Sequence, residues 1–340
     1  MLSIKENYLE TIKQGGKPDR AVVQWGPIFP IMGDPCHVFT RGMREKGKTV
    51  IDRWGVTIAW PEDQPAAVPH VTPENKVLKD VTKWREQIKI PDVEAAANAT
   101  VAAAGWEDVR QRSEVARKDP NLGMAAAFMG TGMFEQMHAL MGFEDALMAF
   151  LMEPEATHEL LDAICDFRCT YAKLIIDNWK PDVVISHDDW GSKTSLFMHP
   201  DTWREFFKER YRKFYKLWRD AGVLALHHAD CYCEPIAEDM ADIGIEVWQG
   251  VVPQNDIPAI QKKLGGRMGL MGGIDNAIVD IETVPEEVIR AHVREGCDRY
   301  LPGGNFIINL PTGMRNGSLF PRIDPIIDDE ITKYAGKYFK

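Results

Sequence analysis

The chain has 340 residues, of which 45% are hydrophobic and 27% charged, and its formal net charge is -11 at neutral pH. Such a composition is typical of a folded globular protein with a sizeable core. The negative charge disfavours non-specific attraction to nucleic acid or to an anionic membrane surface. No apolar run is long enough to span a bilayer, and the first residues lack the apolar segment of a signal peptide. We therefore expect a cytoplasmic protein that binds neither nucleic acid nor membrane.

No linker, charge block or repeat divides the chain, which indicates a single domain over residues 1–340. Short β-branched runs alternate with amphipathic helical stretches, the order expected of a parallel α/β sheet. In chain order, the pattern predicts strands at 21–25, 123–128, 183–187, 223–228, 247–249, 267–271 and 305–309. Helical periodicity is clearest at 192–220, 253–264 and 284–295.

Seven predicted strands, most of them followed by a helix, come close to the eight of a TIM-type (β/α)8 barrel. We therefore predict an α/β protein of that class. Extra N-terminal helices and loops are expected in the Pro- and Gly-rich region 30–120. A doubly wound open sheet is the alternative, because the order of strand pairing cannot be read from one sequence.

Two successive predicted strands end in polar residues, which include Asp188, Asp189, His227, His228 and Asp230. Side chains alternate along a strand, so His228 and Asp230 project to one side and His227 to the other. We interpret His228, Asp188, Asp189 and Asp230 as candidate catalytic residues. The spacing alone also suits a structural reading, in which the imidazole is a hydrogen-bond donor and an aspartate caps the next helix.

The six cysteines, in a chain without an export signal, are expected to be reduced. Cys231-X-Cys233 does not have the spacing of a structural zinc site, and no second such pair occurs. Fingerprints of dinucleotide-binding proteins, P-loop enzymes and serine hydrolases are absent from the sequence.

The order of several short segments resembles the uroporphyrinogen decarboxylase superfamily across almost the whole chain. These segments are DRWGV at 52–56, DVTKW at 80–84, GMFE at 132–135, ALMGFE at 139–144, HDDWG at 187–191, HHADC at 227–231 and MGGIDN at 271–276. The resemblance implies a TIM-type barrel. It also implies one of two activities, either porphyrinogen decarboxylation or zinc-dependent, corrinoid-linked methyl transfer.

The decarboxylase branch carries an arginine-rich signature where this chain has VQWGPIFP at 23–30. A substrate with many carboxylates needs several cations for charge-assisted pairing, and this apolar stretch supplies none. We therefore expect an aromatic or otherwise mostly apolar substrate instead of uroporphyrinogen.

The methyltransferase branch carries a His-X-Cys motif and a further cysteine downstream. His228 matches the histidine, but Asp230 stands at the place of the first cysteine, and the downstream segment reads LPGGN at 301–305. Members that demethylate methoxyaromatics or methylamines hold zinc with carboxylates and a histidine. The resemblance therefore implies zinc at His228, Asp189 and Asp230, with Glu205 as a further ligand; a solvated helix carboxylate is the alternative for Glu205.

These features together imply an enzyme, a corrinoid-dependent methyltransferase. It would demethylate a small methyl donor, a methoxyaromatic ether or a methylated amine, and pass the methyl group to the cobalt of cobalamin carried by a partner corrinoid protein. A metal, or a general acid such as His228, would activate the leaving atom. The residues expected to line the substrate pocket are Trp25, Phe29, Trp60, Trp190, Gln249, Asn276 and Asn309. Each of the aromatic residues is equally compatible with the core.

Two other functions remain open at the level of the sequence. One is a metal-independent decarboxylase of a smaller acid, in which Asp188 or Asp189 stabilises a protonated intermediate and His228 returns the proton. The other is a non-catalytic corrinoid- or tetrapyrrole-binding protein that keeps the barrel.

Overall fold

The computed structural model describes residues 1–42, 44–64 and 66–339. Its strands are β1 (Ile28–Ile31), β2 (Thr49–Ile51), β3 (Thr57–Ala59), β4 (Val68–Pro69), β5 (Met124–Met129), β6 (Val183–His187), β7 (Leu224–His228), β8 (Val247–Val251), β9 (Gly269–Gly273) and β10 (Phe306–Asn309). Seven of them form one sheet in the order β1-β5-β6-β7-β8-β9-β10, and β2, β3 and β4 form a second sheet. All pairs in the large sheet are parallel, and those in the small sheet are antiparallel.

Helices follow most strands of the large sheet and pack on its outer face. They are α1 (Ile4–Ile12), α2 (Pro35–Arg41), α3 (Trp84–Gln87), α4 (Val93–Asn98), α5 (Ala102–Lys118), α6 (Met133–Met141), α7 (Phe143–Met152), α8 (Pro154–Asn178), α9 (Pro200–Trp203), α10 (Glu209–Asp220), α11 (Ala237–Asp242), α12 (Ile257–Leu264), α13 (Asn276–Val279), α14 (Glu286–Tyr300) and α15 (Ile323–Tyr334). None of the described helices is both long and apolar enough to cross a bilayer.

The strands of the large sheet are buried on both faces, as expected when a parallel sheet curls inside a layer of helices. Alternate residues such as Ile185 and Leu226 form an inner core, which α1 covers from below with Tyr8 and Ile12. The intervening residues, such as Val184, pack outward against the helices. This alternation is the side-chain pattern of a TIM-type barrel.

Side chains bridge the edge strands β1 and β10. Oε1 of Gln24 accepts a hydrogen bond from the backbone N–H of Leu310 at 3.2 Å. Arg315 donates to the carbonyl oxygens of Gly26 and Ile28 at 2.8 and 3.2 Å. The predicted TIM-type fold is therefore confirmed, although the barrel sheet in the described residues has seven strands rather than eight.

The prediction of the first strand at 21–25 is wrong. Gln24 and Gly26 adopt positive φ angles of 43° and 50°, which interrupt an extended backbone, and pairing with β5 starts only at Ile28. The other six predicted strands coincide with β5 to β10 to within a few residues. The predicted extra N-terminal elements are confirmed as α2 to α5 with the small sheet, all inserted between β1 and β5.

Candidate active site

The inner face of the barrel changes from apolar to polar in its last layer, where the strands end. On β6 the inward residue Ile185 is followed two positions later by His187, and on β7 Leu226 is followed by His228. The strand register pairs His187 with His228 and His228 with Gln249. Chemistry in TIM barrels collects at this end. These polar side chains therefore mark the candidate active site.

Glu135, in the first turn of α6, holds the imidazole of His187. Its Oε2 accepts hydrogen bonds from Nδ1 of His187 at 2.8 Å and from the backbone N–H of Gly132 at 3.2 Å. Burial acts to lower the pKa of His187, but the negative charges of Glu135, Asp189 and Asp230 outweigh it and raise this pKa to about 10. Burial likewise opposes ionisation of Glu135, yet the charge of His187 lowers its pKa to about 2.

Gln249 fixes the tautomer of His228. Nε2 of Gln249 donates to Oδ1 of Asn309 at 3.0 Å and to the carbonyl of Thr312 at 3.1 Å. Its Oε1 is therefore the atom that accepts the hydrogen bond from Nδ1 of His228, which leaves a lone pair on Nε2. Burial, aided by the positive charge of His187, lowers the pKa of His228 to about 4.

His187, Asp189 and His228 each offer one ligand atom, and these atoms lie within 4.8 Å of one another. Oδ1 of Asp189 accepts a hydrogen bond from the backbone N–H of Asp230 at 3.1 Å, while Oδ2 lies 4.0 Å from Nε2 of His187. Both histidines have Nδ1 engaged by a carboxylate or an amide, as metal-bound histidines do. Two imidazoles and a carboxylate are a donor set of catalytic zinc sites, so this trio fits zinc.

The carboxyl of Asp230 lies beside this trio but is not one of its three members. Burial raises the pKa of Asp230, and the charge of Asp189 acts in the same direction. Burial also raises the pKa of Asp189, to about 6. Of the four predicted zinc ligands, the structure brings together Asp189 and His228 and adds His187 in place of the others.

The structure corrects the prediction that Asp188 is catalytic. Its side chain is fully buried beside the barrel, on the face opposite to His187. Its carboxylate accepts hydrogen bonds of 2.6 to 3.1 Å from the backbone N–H groups of Phe134 and Glu135, the indole of Trp190 and the hydroxyl of Tyr211. Asp188 therefore anchors the start of α6 and positions Glu135.

Glu205 also lies outside the site. It belongs to the helical turn Arg204–Lys208 that precedes α10, about 60% of its side chain is exposed, and its carboxylate lies 3.5 Å from Nε2 of His158. The prediction of Glu205 as a zinc ligand is therefore wrong, and the solvated helix carboxylate is the correct interpretation. Cys231 and Cys233 are buried with their sulfurs 3.4 Å apart and do not join the trio.

Two of the predicted pocket aromatics are core residues. Trp25 packs among the apolar side chains of the inner core. Trp190 is completely buried and stacks on His227, with the ring centroids 4.3 Å apart. His227 faces outward, as the alternation predicts, and its Nδ1 lies 2.6 Å from the hydroxyl of Tyr215.

The remaining predicted pocket residues are scattered. Phe29 is 38% exposed on β1. The indole of Trp60 donates to the carbonyl of Gln64, and Oδ1 of Asn276 accepts from Nζ of Lys193 at 3.0 Å. Gln249 and Asn309 do lie in the polar layer, where they bond to each other and support His228.

A cavity of about 270 Å³ opens beside His187 and Glu135. Its wall is mostly apolar and includes Val56 of the loop before β3 and Phe128 of β5. Arg41 and Arg44, which lie outside the apolar stretch 23–30, also line it. We call this space the His187 cavity.

A larger hollow of about 1050 Å³ surrounds Lys5, Asp182 and Glu246 at the opposite end of the barrel, where the strands begin. The residues with convergent ligand atoms are not among those that line it. Because the loops after the strands carry the chemistry of TIM barrels, the smaller His187 cavity is the candidate substrate pocket.

Four residues of this region were not predicted as site residues: His187, Glu135, Arg41 and Arg44. The alternation of side chains that places His228 inside the barrel on β7 also places His187 there on β6, so His187 could have been predicted from the sequence. For Glu135, the only signal in the sequence was its position in the GMFE segment. Nothing local distinguishes the two arginines from solvated charges.

Known proteins show the family to which this chain belongs. A family model described as uroporphyrinogen decarboxylase (URO-D) matches residues 49–320. The chain belongs to the URO-D family. This membership confirms the superfamily that the sequence segments indicated.

Among solved structures, a methyltransferase from Methanosarcina mazei matches this URO-D family chain with a TM-score of 0.69 and 16% sequence identity, covering 100% of this chain and 99% of that chain. A D-psicose 3-epimerase with D-tagatose from Clostridium cellulolyticum H10 has a TM-score of 0.35 and 11% identity, covering 70% of this chain and 84% of that chain. A search of curated proteins found no match. The first likeness supports the TIM-type fold over the full length of the chain.

Proposed function

We propose that this URO-D family protein is a corrinoid-dependent methyltransferase that removes a methyl group from a small methoxyaromatic ether or methylated amine. In this proposal the acceptor is the cobalt of cobalamin carried by a separate corrinoid protein. The observation that carries the proposal is the convergence of His187, Asp189 and His228 at the barrel mouth, with ligand atoms within 4.8 Å of one another. The fold shared with a methyltransferase agrees with it.

The three side chains would hold zinc, which supplies Lewis acidity at the oxygen or nitrogen that the methyl group leaves. Glu135 and Gln249 keep Nδ1 of His187 and His228 occupied. Both Nε2 atoms are therefore free for a ligand, and the imidazoles need no reorientation to receive it. The backbone N–H of Asp230 orients Asp189 in the same way.

His187 can also hold a proton at the leaving atom when its Nε2 is not bound to metal. An aryloxide is a poor leaving group, so its oxygen must be protonated or coordinated as the carbon–oxygen bond breaks. Glu135 keeps His187 cationic, whereas the pKa of His228, about 4, leaves that residue neutral. The role of general acid expected for His228 therefore passes to His187.

The size of the His187 cavity supports a small substrate. Its volume of about 270 Å³ lies just below the roughly 300–1,000 Å³ that is usual for ligand pockets. A tetrapyrrole with its acidic side chains does not fit such a space. The apolar wall near Phe128 suits a single aromatic ring or a short aliphatic body.

A metal-independent decarboxylase of a small acid is the second candidate. The observation that favours it is the cationic His187 beside Arg41 and Arg44 in one cavity. Such a cluster can hold a carboxylate and return a proton to the carbon that loses carbon dioxide. In this candidate function His187, rather than His228, would return the proton.

The experiment that separates the two functions uses the purified chain. Its metal content is measured first, and it is then incubated with cobalt(I) cobalamin and a panel of methoxyaromatics and methylamines. We expect about one zinc per chain and conversion of the cobalt(I) spectrum to that of methylcobalamin with at least one donor. Release of carbon dioxide without zinc or methylcobalamin would favour the decarboxylase instead.

The variant His228→Ala tests the metal trio. We expect it to lose zinc and methyl transfer together, because it removes one of the three converging ligand side chains. His199→Ala is the matched control, since His199 is about 72% exposed and lies at the start of α9. Full activity of the His228→Ala variant would contradict the proposal.

A further inference from the structure

Two arginines and two carboxylates line the His187 cavity. The arginines are Arg41 and Arg44, and the carboxylates are Glu135 and Asp52. One oxygen of each carboxylate already accepts hydrogen bonds. Glu135 accepts from His187, and Oδ1 of Asp52 accepts from the backbone N–H groups that follow it at 2.9 and 3.0 Å.

The negative charge of Asp52 acts on both guanidinium groups and that of Glu135 on Arg41, but neither arginine forms an ion pair in the part of the chain that the structure describes. Nε of Arg44 is buried without a hydrogen-bond partner among those residues. Burial lowers the pKa of Arg44 to about 10, so it stays charged at neutral pH. A buried guanidinium without a partner is costly in free energy, and such groups are usually satisfied by an anion.

The local backbone leaves space for the guanidinium of Arg41. Arg41 is the last residue of α2, and Asp34 caps the start of this helix. Arg44 lies three residues further along the chain. A Cβ at Gly130, just after β5, would lie 2.9 Å from Nη1 of Arg41. The absence of a side chain at Gly130 thus lets the guanidinium lie against the backbone next to the cavity.

We propose that Arg41 and Arg44 bind the carboxylate of the substrate, so that the methyl donor is a small, mostly apolar carboxylic acid. Guanidinium and carboxylate match in shape and form paired, charge-assisted hydrogen bonds. The apolar wall of Val56, Ile58 and Phe128 then receives the body of the acid. The inference depends on the proposed function only in calling this acid a methyl donor.

Titration calorimetry with benzoate and benzamide tests the site without any methyl transfer. The two probes have the same ring and similar size, but only benzoate carries a charge. We expect the full chain to bind benzoate at least about tenfold more tightly than benzamide. Equal affinities would overturn the inference, and so would tight binding of phenyl phosphate with none of benzoate, because the site would then select another anion.

Substitution of the arginines provides the second measurement. Arg41→Gln and Arg44→Gln should each weaken benzoate binding by about 10- to 100-fold and leave benzamide binding unchanged. The benzoate affinity of Arg41→Lys should lie between those of the native chain and Arg41→Gln, because lysine keeps the charge but cannot form the paired hydrogen bonds. Arg299→Gln is the control, since Arg299 is exposed over the ring of Tyr300. An unchanged preference for benzoate in both glutamine variants would overturn the inference.

Methylated substrates separate this inference from the proposed function. If methoxybenzene donates its methyl group as well as the methoxybenzoates do, the proposed methyltransferase function is supported and the carboxylate site is contradicted. If benzoate binds through the arginines but no methoxylated acid yields methylcobalamin, the carboxylate site is supported and the methyltransferase function is contradicted.

Discussion

The imidazoles of His187 and His228 stack with their centroids 4.6 Å apart and their planes inclined by 27°, yet in the absence of a metal one is cationic and the other neutral. Glu135 keeps the first cationic, and Gln249 keeps the second as the neutral tautomer with its proton on Nδ1. Their pKa values are driven apart, to about 10 and about 4. Adjacent titratable groups with separated pKa values are characteristic of functional sites.

Glu135→Gln should weaken zinc binding by about 10- to 100-fold, the usual cost of losing a carboxylate behind a metal-bound histidine. Glutamine keeps the shape of the side chain but removes the negative charge that orients His187. Competition with a coloured chelator measures the zinc affinity. Glu144→Gln, at an exposed position in the first turn of α7, is the control. An unchanged affinity in Glu135→Gln would show that this pair does not support a metal.

Gln249→Leu should lower both metal affinity and stability. It releases Nδ1 of His228 and leaves the buried Oδ1 of Asn309 and the partly buried carbonyl of Thr312 without their donor. An unsatisfied buried polar group costs about 1–3 kcal/mol, so urea unfolding should show a loss of that size. Gln111→Leu, on the exposed face of α5, should leave both quantities nearly unchanged. A Gln249→Leu variant with normal zinc affinity would argue against a fixed tautomer.

Gly313→Ala should block the site without unfolding the protein. A Cβ at residue 313 would lie 3.0 Å from Nε2 of His228, the atom that faces a metal or substrate. We expect a large loss of methyl transfer with little change in the melting temperature. Gly336→Ala is the matched control, because its Cβ would meet nothing within 4 Å. Equal activity of the two alanine variants would mean that Nε2 of His228 is not used.

Asp34 predicts a pH dependence of stability. Its carboxylate caps α2 and accepts a hydrogen bond from the hydroxyl of Tyr171, but burial raises its pKa to about 6 from an unfolded value near 3.8. The folded state therefore binds the proton more tightly than the unfolded state. The stabilisation is fully present below the unfolded pKa and is lost as the pH rises through the folded pKa.

Asp34→Asn removes this dependence. The unfolding free energy of the native chain relative to that of the variant should fall by about 2 kcal/mol between pH 4 and pH 7, because each pKa unit corresponds to about 1.4 kcal/mol and the unfolded carboxyl is already partly ionised at pH 4. Urea unfolding at a series of pH values measures it. Asp63→Asn changes an exposed carboxyl and is the control. A difference that grows with pH would mean that Asp34 is ionised more easily in the folded state.

Most of the fold was predicted from the periodic spacing of apolar residues. The apolar run VVI at 183–185 indicates a strand that is buried on both faces, and the predicted strand 183–187 has the same limits as β6. The first strand was misplaced because residues 21–25 are also mostly apolar, and the sequence pattern does not reveal the positive φ of Gln24. Alternation on β7 correctly separated His228, inside the barrel, from His227.

The site was predicted less completely because its support comes from distant segments. Asp188 follows β6 in the sequence just as Asp189 does, but only the packing of α6 and Tyr211 shows that it is a buried anchor. Glu135 lies 52 residues from His187, so no local spacing connects the two. Arg41 lies at the end of a helix within an insertion, where a charged residue ordinarily faces solvent.

Gln24 joins segments from near both ends of the sequence underneath the site. Its side chain accepts from Leu310 and Asn309 and donates to Asp324, which is 300 residues away on α15. Asn309 in turn contacts the amide that orients His228. A nascent chain therefore cannot complete this layer until α15 has left the ribosome, so catalytic competence should arise only after α15 has been synthesised.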